Sequence, residues 1–340
     1  MPFNQRKNHT LLILFILVIL FNASGSFAQK LSMAEAKHAG DSIIPEAILP
    51  FWQSLTLKEK AAQTLMVYMP SASYIKKHQF GGVLIMKPHL KDSLHLKEEL
   101  SLANESLKIP LLTAIDQEGG KVNRLQAISP EWKNLPSAKE MRTMTDDSVY
   151  NLAKQIGNAL HHYGINLNLA PVLDPPKDSK GKPSFIEVSN RSFGEFETAV
   201  PKIRSFVKGM KESKVLSTSK HFPGYDSWTN SDHQIAFSTS SKEIILRNVE
   251  LFKEFADEIP VIMLSSVRFV RLSNTPAVFN PKITAMAREI SPYTVLLTDD
   301  LWGVSLRAWI SGTDKVKGKN YPSKDFKKLI SSLQVLPSAV

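Results

Sequence analysis

The sequence contains no cysteine. Disulfides are therefore excluded, as is lipid attachment through a cysteine, and the folded chain must be held by its apolar core alone. The glycine patterns of nucleotide-binding loops are missing too: neither G-x-G-x-x-G nor G-x-x-x-x-G-K-[ST] occurs. There is no internal repeat and no low-complexity segment. Although the formal net charge is +10, the basic residues do not cluster with aromatics, so nucleic-acid binding has no support. Much of the basic excess lies late, in Lys315, Lys317, Lys319, Lys324, Lys327 and Lys328. Two readings are open for these lysines: a solvated tail, or attraction to anionic envelope polymers.

A long hydrophobic run is also lacking. Arg6 and Lys7 precede an apolar stretch over residues 11–21, which gives way to small and polar residues ending Ser26-Phe27-Ala28. The run is too short for a comfortable transmembrane helix and reads as a secretory signal cleaved after Ala28, with an uncleaved anchor as the alternative. The expectation is an exported, cysteine-free protein suited to a bacterial periplasm, with no membrane span left after cleavage. The organisation expected is a signal over 1–28, one folded domain over 29–314 and a lysine-rich segment over 315–340.

What is present is ordinary globular composition, 43% hydrophobic and 22% charged, which argues against wholesale disorder. At 340 residues the chain has room for one large barrel or two modest domains. Short apolar runs at 64–68, 80–86, 109–115, 165–173, 215–219, 260–264 and 294–298 read as strands. Helical periodicity marks 44–65, 89–107, 146–162, 199–213, 243–256 and 283–290. The strands are continuously apolar rather than alternating, the pattern of parallel strands buried on both faces. The expected fold class is therefore α/β, a (β/α)8 TIM-like barrel. An eighth strand is hard to place after Asp299, so closure at the last β/α unit is in question.

Polar residues stand where several strands should end: Asp116, Asp174, Lys220-His221 and Asp299. A (β/α) barrel builds its site from such positions, whereas an open doubly wound sheet concentrates it at one switch point. The densest stretch is 215–234, VLSTSKHFPGYDSWTNSDHQ. An apolar run leads to Lys220 and His221; Pro223-Gly224 then opens a polar loop carrying Tyr225, Asp226, Asp232 and His233.

Five motifs stand in one order: Ile115-Asp116-Gln117-Glu118-Gly119-Gly120-Lys121-Val122-Asn123-Arg124, Ala170-Pro171-Val172-Leu173-Asp174, Asn190-Arg191-Ser192-Phe193-Gly194, Lys220-His221-Phe222-Pro223-Gly224 and Leu297-Thr298-Asp299-Asp300-Leu301. Together they resemble glycoside hydrolase family 3, in its single-domain β-N-acetylglucosaminidase (β-N-acetylhexosaminidase) branch. The resemblance implies an exported retaining glycosidase that releases terminal N-acetylglucosamine from cell-wall (peptidoglycan) fragments or related glycans. Asp299 matches the nucleophile and His233 the general acid/base. Asp116, Arg124, Arg191, Lys220 and His221 match residues that hold sugar hydroxyls, while Glu118 reads as structural and Asp174 as a brace for the loop. No cofactor or metal is implied; the partner is a carbohydrate, and a monomer is expected.

The loop departs from the family pattern. Ser231-Asp232-His233 replaces Asp-Ser-His, so the carboxylate that orients the histidine is missing from its place. Asp232 and Asp226 are the carboxylates left to support the ring. Tyr225 and Asp226 replace His-Gly, and Ser266 stands where a histidine is usual. These departures leave two alternatives: a catalytically impaired member that binds sugar, or a hydrolase of other β-glycosides.

Overall fold

The computed structural model describes residues 48–291, 294–313, 325 and 327–329. The expected export signal and most of the lysine-rich segment lie outside the described residues. The strands are β1 (Met66–Tyr68), β2 (Gly82–Ile85), β3 (Leu112–Ile115), β4 (Leu167–Asn168), β5 (Leu216–Phe222), β6 (Phe237–Ser238), β7 (Val261–Leu264), β8 (Arg268–Phe269) and β9 (Val295–Thr298). Seven of them form one parallel sheet in the order β1-β2-β3-β4-β5-β7-β9. The other two, β6 and β8, pair with each other.

Helices α1 (Leu49–Ser54) and α2 (Leu57–Gln63) precede the sheet. Helix α3 (Ala72–His78) joins β1 to β2, α4 (Ser93–Glu105) joins β2 to β3, α5 (Asp146–His162) joins β3 to β4, and α6 (Phe196–Glu212) joins β4 to β5. After them come α7 (Lys242–Glu254) before β7, α8 (Pro281–Ile290) before β9, and α9 (Val304–Ser311) after it. The helical stretch expected over 44–65 is, within the described residues, two helices, and the second starts at Thr56, inside the capped-start pattern that residues 55–60 show in the sequence. The Thr56 hydroxyl accepts from the Glu59 N–H, and the Glu59 carboxylate accepts from the Thr56 N–H in return.

Strand alternation divides the apolar side chains between two cores. Leu112, Ala114, Leu167, Leu169, Val261, Met263 and Val295 form an inner cluster, with Met66, Leu84, Leu216 and Leu297 packed against it. All seven strands thus face one interior, as in a barrel. Their outward neighbours, among them Val83, Ile85, Ile115, Ile262, Leu264 and Leu296, pack with the helices. Helices α5 and α6 lie against each other closely: a Cβ on Gly209 would sit 2.6 Å from the Tyr150 carbonyl oxygen, so only glycine fits.

Two expectations need correction, the full count of eight strands and the length of β4. Among the described residues the sheet has seven strands, not eight, and no pairing joins β1 to β9, so the last β/α unit is the incomplete one, as the sequence implied. The stretch after Asp299 folds as α9, whose buried Leu306 and Ile310 are four residues apart on one helical face. Strand β4 is much shorter than 165–173. Its flanks are held by side chains: Asn166 Oδ1 accepts from Thr113 N–H and Asn168 Oδ1 from Gln117 N–H, while Pro171 has no N–H to offer a ladder. Strand β5, by contrast, runs on through Lys220, His221 and Phe222 because Lys220 and Phe222 still pair with β7.

Candidate active site

The ends of β3, β5, β7 and β9 bring the expected site residues to one face. Lys220 is only 2% exposed, and a buried ammonium must be paired to be tolerated. Its Nζ lies 2.8 Å from Asp116 Oδ1 and 2.7 Å from Glu118 Oε1. Glu118 in turn receives Arg191 in bidentate fashion, Nε to Oε2 and Nη2 to Oε1, both at 2.8 Å. Arg124 Nη2 completes the chain 4.0 Å from Asp116 Oδ2. Three cations and two carboxylates are thereby locked in fixed relative positions.

Burial alone would push the Glu118 carboxyl up, but Arg191 and Lys220 overcome it and hold the group well below the usual carboxylate range. Burial likewise opposes the charge on Lys220, and Asp116 and Glu118 overcome that and raise its pKa. Arg191, partly buried, is raised mainly by Glu118. The hub of the network is Glu118, a residue whose backbone also bonds to Val122 in the turn before Arg124.

His221 is oriented by Asp174. Its Nδ1 lies 2.6 Å from Asp174 Oδ2, and its backbone N–H donates to Asp174 Oδ1 at 2.8 Å. The same carboxylate oxygen Oδ1 accepts two backbone bonds in all. The second of those bonds comes from Tyr225 N–H at 2.7 Å, which makes Asp174 the brace of the Pro223-Gly224 turn, as expected.

Asp299 follows β9. Its backbone N–H donates to Leu264 O at 3.1 Å, which extends the ladder to β7 by one bond. Ser266 Oγ donates to Asp299 Oδ2 at 2.9 Å and Asp300 N–H to Asp299 Oδ1 at 2.8 Å. The Asp300 carboxyl, raised by burial and further by Asp299, takes the Trp302 N–H. It caps the turn into α9.

Tyr68 was not among the residues singled out from sequence. It ends β1 and is half exposed; its phenol is raised by partial burial and then by the charges of Asp300, Asp116, Asp232 and Asp299. The signal that points to it is its place as the last residue of the first strand.

The loop bearing His233 is tied down by backbone. Ser231 O and Asp232 O accept from Ser305 N–H at 2.9 Å and Val304 N–H at 3.2 Å, the otherwise unpaired donors at the start of α9. Tyr225, where the family pattern has histidine, clamps the loop's middle: its hydroxyl accepts from Ser231 N–H at 2.8 Å and donates to Thr229 O.

The expected support for the His233 ring is not formed. Asp226 turns inward, where its Oδ2 accepts from Ser240 Oγ, and it is 2% exposed. The Asp232 N–H bonds Asn230 Oδ1, and among the described residues its carboxyl makes no hydrogen bond. Burial raises the Asp232 carboxyl, as does nearby Asp299. Among the described residues the His233 imidazole has no hydrogen-bonding partner, and the ring is exposed. No group of side chains suited to hold a metal ion occurs among the described residues.

Residues 56–299 match the family model described as the glycosyl hydrolase family 3 N-terminal domain. The chain belongs to glycosyl hydrolase family 3. A β-hexosaminidase of Actinobacillus pleuropneumoniae serotype 5b (strain L20) is 28% identical over 207 residues, covering 58% of this chain and 57% of that protein. The chain thus spans less than two thirds of that relative's length. A β-hexosaminidase of Pseudomonas aeruginosa (strain LESB58) is 28% identical over 238 residues, covering 67% and 68%. Among solved structures, a β-N-acetylhexosaminidase from Beutenbergia cavernae superposes with a TM-score of 0.66 at 23% identity, covering 83% of this chain and 92% of that one. The likeness shows that this family 3 chain shares the same barrel fold.

Proposed function

We propose that this family 3 chain is a retaining β-N-acetylglucosaminidase. The observation that carries the reading is the Asp299 carboxylate, held on both oxygens by Ser266 and the Asp300 N–H at the end of β9. Nearby stands the Asp116–Lys220–Glu118–Arg191 network, a set of fixed charged donors and acceptors suited to pyranose hydroxyls. An Asp299 oxygen attacks the anomeric carbon as the bond to the leaving oxygen breaks, and His233 gives that oxygen its proton. Water, losing a proton to His233, then displaces Asp299 from the same carbon. Family relatives named β-hexosaminidase support the N-acetylglucosamine preference. The signal-like residues 6–28 support export, with cell-wall fragments as the substrate class.

A second reading, a member that binds sugar without cleaving it, is favoured by one observation: the His233 ring lacks an orienting carboxylate. The deciding experiment is chromophore release from an aryl N-acetyl-β-glucosaminide by the wild type, Asp299→Asn and His233→Ala. Turnover by the wild type that collapses in both variants is the expected result. A wild type as inert as Asp299→Asn that still binds N-acetylglucosamine replaces hydrolysis with binding.

A further inference from the structure

Beyond the catalytic residues, the loop after β5 frames a second concavity. A cavity of about 220 Å³ lies between residues 178–180, 226–229 and 237–239. It falls below the roughly 300–1,000 Å³ of sites that hold drug-sized molecules, so it suits a single ring. Two of its walls are aromatic and open to solvent: Trp228 is 73% exposed and Phe237 50%. Nothing in the fold requires an indole to face water at this point, since neither ring belongs to the core clusters.

The polar lining has the complementary character. Asp226 lines the cavity; Ser240 satisfies its Oδ2 and Ser238 lies close to the carboxyl, but among the described residues its buried Oδ1 makes no hydrogen bond. An unpaired buried carboxyl oxygen is costly unless a ligand or water completes it. Ser179 Oγ and Thr239 Oγ1 bridge the two sides at 2.9 Å, and the exposed Lys180 stands at the rim with no ion pair among the described residues. Aromatic faces carry negative quadrupole density, which attracts the polarised C–H face of a sugar ring, while the hydroxyl edge needs hydrogen-bond partners.

We propose that this cavity is a second pyranose subsite: Trp228 and Phe237 stack on the C–H face of a sugar ring, and Asp226 and Lys180 bond its hydroxyls. Its lining includes none of the candidate catalytic residues; the loop that carries Trp228 also carries His233, and on that ground the ring assigned to it is the one beyond the bond cleaved. The choice of a saccharide as ligand rests on the glycosidase reading; the cavity itself does not. Burial raises the Asp226 carboxyl, which favours the protonated form able to donate to a hydroxyl.

Calorimetry on the full chain carrying Asp299→Asn, so that ligands stay intact, tests the proposal with N-acetylglucosamine and its β-1,4-linked disaccharide. The disaccharide is expected to bind more tightly. Adding Trp228→Ala should lower affinity for the disaccharide about tenfold relative to the monosaccharide, and Trp228→Phe should restore most of it. Trp228 is surface-exposed, so its truncation leaves the core untouched. A disaccharide no tighter than the monosaccharide, or one whose affinity survives Trp228→Ala, overturns the subsite while leaving the glycosidase reading in place. A parent that binds neither sugar overturns both.

Discussion

Ser266 Oγ donates to Asp299 Oδ2 at 2.9 Å, one strand end to another. The bond crosses from the end of β7 to the end of β9, so the carboxylate offered as nucleophile is aimed by a neighbouring strand. Where the family pattern has a histidine, a small hydroxyl here reaches the same carboxylate.

Ser266→Ala should therefore lower kcat about tenfold to a hundredfold with little change in KM, the loss of one hydrogen bond to a charged group. Steady-state kinetics on an aryl glycoside check this. An unchanged kcat would show that the Asp300 N–H alone is enough to hold Asp299.

Glu118→Gln should destabilise the fold by about 3–5 kcal/mol at neutral pH, because it leaves the buried Lys220 and the partly buried Arg191 beside a neutral amide. The sign with pH follows from the depressed carboxyl. Its stabilisation is complete above the ordinary value of 4.5 and fades as pH falls below it toward the native pKa. Denaturant unfolding at a series of pH values should show wild type and variant converging only in acid.

Asp226→Asn should do the opposite. A carboxyl raised by burial costs stability once pH exceeds its ordinary 3.8, and the cost grows until the raised native pKa is passed. The amide can still accept from Ser240. The variant is expected to melt above wild type at pH 7 and level with it below about pH 4. A variant that melts lower at neutral pH contradicts this account.

Tyr225→Phe removes the hydroxyl that links Ser231 N–H to Thr229 O. Leaving those groups unpaired should cost about 1–3 kcal/mol and loosen the loop that carries His233. Faster amide exchange at Ser231, with other loops unaffected, is the signature to look for.

The sequence by itself determined the repeating βα order, because strands buried on both faces must be apolar throughout. It also located the polar residues that follow the apolar runs: Asp116, Lys220, His221 and Asp299 all stand where such a run stops. Helix α5 was legible to its last residue, since Thr145 caps one end and Asp146 and Asp147 complement the dipole there. Tertiary structure alone decided which charges pair. Glu118 reads from sequence as structural, but that it holds Arg191 and Lys220 together depends on residues brought in from β5 and from the loop before α6. The same holds for the fate of Asp226 and Asp232. Both stand near His233 along the chain, yet the clamp by Tyr225 and the docking of Ser231 and Asp232 on α9 turn one inward and leave the other unpaired. Periodicity reports which face a residue takes on its own strand; it carries no information about which side chain from another strand will meet it.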